Sequence, residues 1–102
     1  MFARGKRSRT AHLDVYDSPS PFARSRVGVV VPRHGRRVVD RNLLKRRLRE
    51  ILRTEILPGL AERGDLHDVL VRARREAYSA LHGDLQAELR EWLDRRWPLA
   101  SS

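Results

Sequence analysis

Between Val39 and Leu57 the chain carries its longest regular pattern, and that pattern limits what the rest can be. At about 100° per residue, Leu44, Leu48, Ile51 and Leu52 fall within roughly 100° of arc, one apolar stripe of a helix that must face a core. Asp40 is the expected N-cap, and Pro58-Gly59 is the expected stop. Beside the stripe, Arg41, Lys45 and Arg49 recur at i, i+4 and i+8, with Asn42, Arg46, Arg49 and Arg53 in the adjacent row. Glu50 is the one acid among them. A solvated helix face normally alternates charge sign to gain i,i+4 pairs. Like charges crowded on one flank cost stability unless a polyanion relieves them, and the planar fork of Arg suits phosphate.

The rest of the chain is built around that helix. Residues 1–9 are basic and lack apolar periodicity. From Thr10 the pattern alternates, with Ala11, Leu13 and Val15 on one face and His12, Asp14 and Tyr16 on the other, as in a half-buried strand. Ser18-Pro19-Ser20-Pro21 reads as a turn, because prolines do not sit within a sheet ladder. Arg26 to Val31 is apolar on both faces and β-branched, the pattern of a central strand. Pro32 closes it, and Arg33, His34, Gly35, Arg36 and Arg37 form a basic loop. A further strand is expected over Asp68 to Ala73. A last helix is expected from about Ala80 to Arg96, with Leu81, Leu85, Leu89, Trp92 and Leu93 at helical spacing. The order β-β-α-β-α predicts an α+β domain, a small two-layer α/β sandwich in which helices cover a mixed β-sheet.

With 102 residues there is room for one domain and one modest core. The net charge of +9 is unevenly placed. Residues 1–53 hold 15 Lys and Arg against Asp14, Asp17, Asp40 and Glu50, while residues 54–102 hold seven Arg against nine acids. Charge concentrated on one half of a small fold is the footprint expected for a polyanion partner. No segment pairs a basic face with a bulky aromatic-rich apolar one, so a nucleic acid fits better than an acidic membrane. Cysteine is absent, which excludes disulfides and thiolate chemistry. The start lacks the apolar run of a secretory signal, and the chain reads as cytosolic.

The stretch from Val38 to Glu50 resembles the RNR signature of the bacterial ribonuclease P protein subunit, which reads approximately A-V-x-R-N-R-x-K-R-x-x-R-E. Arg41, Asn42, Lys45, Arg46, Arg49 and Glu50 stand at its spacing. The run Arg26-Val27-Gly28-Val29-Val30-Val31 is similar to the family's R-x-G strand, Phe2-Ala3-Arg4-Gly5 to its F-x-x-G segment, and Asp68 to Arg74 to its D-hydrophobic-V-x-A-R strand. The likeness covers nearly the whole chain in order. There are departures. Leu43 replaces the usual second Arg, and Arg36-Arg37 stand where Gly and Asn are common. By this resemblance the chain would enter the family's first helix near its end, with that helix expected to be largely missing and Phe2 alone standing for its aromatic pair.

The resemblance implies a two-layer fold like that of a small-subunit ribosomal protein domain and a part in an endoribonuclease whose catalyst is RNA. The holoenzyme would remove the 5′ leader of precursor tRNA using Mg²⁺ held mainly by the RNA subunit. Arg33, Arg36, Arg37, Arg41, Asn42, Lys45, Arg46, Arg49 and Arg53 would contact the catalytic RNA. Phe2, His12 and Tyr16 would line a leader cleft between helix and sheet, where single-stranded RNA calls for aromatic faces in a basic groove. No protein partner is implied, and no catalytic or metal-binding residue in the protein itself. The four histidines are scattered without metal-ligand spacing, and no nucleophile-elbow, Walker or Rossmann pattern occurs. Trp92 and Trp97 read as packing residues at a helix end.

Two other readings compete. A ribosomal or nucleoid-type structural protein would use the same helix for phosphate neutralisation, but it has no need of Asn42 or Glu50. A self-sufficient protein nuclease would need clustered carboxylates, which the basic half lacks.

Overall fold

The computed structural model describes residues 5–98. Strands β1 (Lys6–Arg9), β2 (Leu13–Pro19) and β3 (Arg26–Val30) come first. Helix α1 (Val38–Ile51) runs through a widened π-turn (Leu52–Ile56) into α2 (Leu57–Glu62), followed by β4 (His67–Ala73), a 3₁₀ turn (Arg75–Ser79) and α3 (His82–Arg96). The strands make one mixed sheet in the order β1-β2-β4-β3, antiparallel except for the parallel pair β3–β4. This is the expected α+β class.

One sheet face is covered. Leu13 and Val15 of β2 and Val69, Val71 and Ala73 of β4 point into a core shared with Leu44, Leu48 and Ile51 of α1 and Leu85, Leu89, Trp92 and Leu93 of α3. Val27 and Val29 of β3 pack on the same core. Pleating sends the alternate residues to the opposite face, where cross-strand rows run Arg7–Tyr16–Leu70–Gly28 and Arg9–Asp14–Arg72–Val30. No described helix lies on that face.

Several expectations change. Lys6–Arg9 is a strand, invisible to an apolar pattern because none of its four residues is buried. Pro19 ends β2 opposite His67 instead of lying in a turn. The proline is tolerated there because β1 pairs only as far as Asp17, leaving that side of Pro19 without a described strand to receive an N–H. The valine-rich β3 is an edge strand, and β4 is central. Helix α1 begins after Arg37, with Asp40 inside its first turn, not at its cap. In α3, Leu81 stands at the N-cap, 72% exposed, outside the stripe.

The largest change is at Pro58-Gly59, which does not stop the helical run. A proline removes one N–H and crowds the carbonyl four residues back. The turn before it is widened, with the Leu57 N–H bonding to Leu52 O five residues earlier. Gly59 is then needed for packing, since a Cβ there would collide with Leu93 of α3.

Candidate RNA-binding surfaces

The first surface is the flank of α1. Leu44, Leu48 and Ile51 are at most 4% exposed, which turns the opposite side of the helix to solvent. Asn42, Arg46, Arg49 and Arg53 are exposed there and Lys45 is half-buried beside them. Among the described residues no acid pairs with Lys45, Arg46 or Arg49, whereas Arg53 Nη2 lies 2.6 Å from Glu50 Oε2. Arg41 differs from its neighbours. It stands nearest the apolar stripe, and its Nε donates to Val31 O at 2.7 Å, tying the helix start to the end of β3.

The loop before α1 extends this flank. His34 and Gly35 both have positive φ, 52° and 80°, and the Arg36 N–H closes the turn on Arg33 O at 2.8 Å. Two left-handed residues in succession define a primed turn, which glycine adopts freely and histidine does not. Tyr78, in the 3₁₀ turn, supports the loop from beneath. Its hydroxyl donates to Pro32 O at 2.7 Å, its ring meets His34 edge-on, and Arg36 stacks 5.2 Å from its centroid. Nothing in the sequence near Tyr78 signals this role, because the partners lie more than 40 residues away. Arg33, Arg36 and Arg37 are exposed, and Arg37 approaches Asp40 at 3.4 Å.

The second surface is the open sheet face. Tyr16 is half-buried at its middle, with the Arg7 guanidinium 5.8 Å from its ring centroid. Asp14, expected as an outward polar residue, is 3% exposed. Its Oδ1 lies 3.5 Å from Arg7 and 3.9 Å from Arg74, and its cross-strand neighbours are Arg9 and Arg72. One carboxylate pairs with two arginines and has two more as cross-strand neighbours, which leaves the region cationic. The β1 sequence Lys-Arg-Ser-Arg would have placed Arg7 and Arg9 on one face had it been read as a strand.

Of the expected leader residues, His12 and Tyr16 do not come together in one cleft. Phe2 lies outside the described residues. His12 turns to α3: its Nδ1 lies 2.7 Å from Glu88 Oε1, its backbone N–H donates to Glu88 Oε2 at 2.9 Å, and the Thr10 hydroxyl meets the same carboxylate. His12 therefore ties the β1–β2 turn to the helix layer. Tyr16 faces away from α1, and the space between α1 and the sheet is filled by core side chains. Among the described residues no three His, Asp or Glu side chains gather as a metal site, and no helix is long and apolar enough to cross a membrane.

Fold and surfaces together define a small cationic α+β domain of the kind that binds RNA. The sequence pattern of the family described as Ribonuclease P matches residues 1–96. The structure is similar to the ribonuclease P protein of Thermotoga maritima, with a TM-score of 0.77 and 26% identity over 92% of this chain and 86% of that one. It also resembles the Staphylococcus aureus protein, with a TM-score of 0.74 and 21% identity over 93% and 84% of the two chains. The chain belongs to the ribonuclease P protein family. Membership carries an RNA partner and a part in a ribonuclease holoenzyme that processes tRNA.

Proposed function

We propose that this protein is the subunit of ribonuclease P that docks on the catalytic RNA through the α1 flank and holds the 5′ leader of precursor tRNA on the open sheet face. The observation that carries this reading is the placement of two cationic surfaces on different sides of one sheet. A protein that only neutralises phosphate needs one such surface, whereas one that bridges a catalytic RNA and a substrate strand needs two. Lys45, Arg46 and Arg49, with Arg33 and Arg36 of the loop, supply charge-assisted contacts to RNA phosphates. Asn42 adds a polar contact on the same flank. Tyr16, with Arg7, Arg9 and Arg72 about it, supplies the aromatic face and charge that a single strand requires. Hydrolysis of the phosphodiester between leader and tRNA belongs to the RNA subunit and the Mg²⁺ it holds; the protein's part is to bind and orient.

The test compares holoenzyme affinity for tRNA with and without a 5′ leader. Tyr16→Ala weakens binding of the leader-bearing substrate by about tenfold, the scale of one lost base–aromatic stack, and leaves mature tRNA and assembly with the catalytic RNA unchanged. Equal weakening for both tRNAs would refute the leader assignment and favour a general nucleic-acid-binding role.

A further inference from the structure

The loop between β2 and β3 holds an aromatic ring in an unusual setting. Phe22 is 53% exposed. Single exposed apolar residues are common and usually mean little. This one is held in place. Its N–H donates to Ser20 Oγ at 3.2 Å, and the Ser20 hydroxyl donates to Arg24 O at 2.7 Å, closing the loop on itself. Both loop ends are pinned at the start of β4. The Ser20 N–H donates to Leu66 O at 2.9 Å, and Ser25 Oγ accepts from the His67 N–H at 2.9 Å.

The ring also has a fixed cationic neighbour. The Arg26 guanidinium lies 4.4 Å from the Phe22 centroid, within stacking range. Asp68 fixes that guanidinium through two hydrogen bonds, Nε to Oδ1 at 3.0 Å and Nη2 to Oδ2 at 2.6 Å. The pair holds the Asp68 carboxyl below its ordinary pKa, chiefly through the hydrogen bonds from Arg26. Carboxylate, guanidinium and ring thus form one contiguous unit.

Sheet register places the unit. Arg26 pairs with Asp68 and Gly28 with Leu70, while Leu70 also pairs with Tyr16. Arg26 therefore lies on the open face with Tyr16, two strands across and two residues along. Strand geometry puts the two Cα atoms roughly 12 Å apart, a distance spanned by a few nucleotides of extended strand. RNA bases stack on aromatic rings and on arginine planes alike.

We propose that Phe22 and Arg26 form a second base-stacking platform on the open face, extending the single-stranded RNA site beyond Tyr16. The inference rests on the leader reading and adds to it: the site has two stacking points and requires a minimum leader length to occupy both. The ligand is unpaired RNA recognised without sequence preference, since every base offers a π-face. Asp68 is a positioning residue that keeps the guanidinium against the ring.

The experiment titrates reconstituted holoenzyme with precursor tRNAs whose leaders are lengthened one nucleotide at a time, using wild type, Phe22→Ala, Phe22→Trp and Tyr16→Ala. In the wild type, affinity rises in two stages with leader length. Phe22→Ala removes one stage, about tenfold in Kd, the scale of one lost stack. Phe22→Trp retains both stages, and mature tRNA binds every Phe22 variant equally. The Phe22→Ala melting temperature should match wild type, since the ring lies outside the core. If Phe22→Ala matches wild type at every leader length while Tyr16→Ala weakens binding, the platform is refuted and the leader reading stands. In that case the exposed ring belongs to some other contact, such as a protein surface. If neither change alters leader-dependent binding, both readings fail. Equal weakening of mature tRNA by Phe22→Ala would also refute the platform.

Discussion

Replacing Arg46 and Arg49 together by alanine tests the α1 flank most directly. Both side chains are exposed and among the described residues neither has an acidic partner, so each is available to a phosphate. The helix itself is held from the other side by Leu44, Leu48 and Ile51, each worth about 2 kcal/mol of burial. Folding should therefore survive, with an unchanged circular dichroism spectrum and a melting temperature within about 2 °C of wild type. Each lost phosphate contact removes about 0.7–0.9 from the slope of log K against log salt, depending on whether the RNA is single-stranded or duplex. With five contacts from Lys45, Arg46, Arg49, Arg33 and Arg36, the wild-type slope is about −3.5 to −4.5, and the double variant is shallower by about 1.4–1.8. The affinity loss is about 3 kcal/mol, or two orders of magnitude, at moderate salt. The assay is a filter-binding titration of the catalytic RNA at four or more KCl concentrations. An unchanged slope would place the RNA interface elsewhere on the molecule, whatever happened to the affinity at any one salt concentration.

Other expectations follow from particular contacts. Arg41→Ala should lower stability by about 1–2 kcal/mol, because Val31 O loses its donor; thermal melts should therefore separate it from Arg46→Ala, which leaves the melting temperature in place. Arg96→Ala should cost about 3 kcal/mol or more, since Asp17, 1% exposed on the core side, would be left without the guanidinium that now lies 3.1 Å away; urea denaturation measures this. The Asp68 pKa is lowered in the fold, so its contribution to stability is present at neutral pH and is lost as pH falls below its unfolded value of about 3.9. Acid titration of Asp68→Asn should accordingly show a weaker decline in stability below that pH than wild type does.

The elements most legible in the sequence are those with a buried apolar face. The stripes of α1 and α3 and the strand at Asp68 emerge from periodicity alone, because each of those patterns ends up against the core. The basic flank of α1 was legible for the complementary reason, as the arc left over. Strand β1 was not, since a strand held by hydrogen bonds to one neighbour and burying nothing leaves no apolar signature. Asp14 and Asp17 also defy a local reading. Alternation assigns Asp14 to the outward face and Asp17 to the core face, where a lone carboxylate is not expected, and the arginines that accompany their burial include Arg74 and Arg96, 60 and 79 residues later. Gly28 shows the same limit from the other direction. It reads as part of an apolar run, whereas its lack of a side chain serves the open face, where a Cβ would press on Leu70 at 3.1 Å. Phe22 sits in a short loop between prolines and serines, and its meaning depends on Arg26 and Asp68 meeting across parallel strands.

The widened turn before Pro58 also sets a length. If α1 continued with ordinary spacing, Ile56 would come round at about 120° from Leu44, between the bearings of Lys45 and Arg49. The extra residue in the turn from Leu52 to Ile56 rotates the chain back, and Ile56 and Leu60 are fully buried as a result. No Lys or Arg stands between Arg53 and Arg63, so the cationic edge ends at Arg53. From Arg41 to Arg53 it measures about 18 Å along the axis, and the exposed side chains that follow, Thr54 and Pro58, carry no charge. The flank is thus a ruler of fixed length: under the proposed docking, a polyanion along this helix would meet charge over three turns, and the π-turn beyond it would hand the chain back to the core.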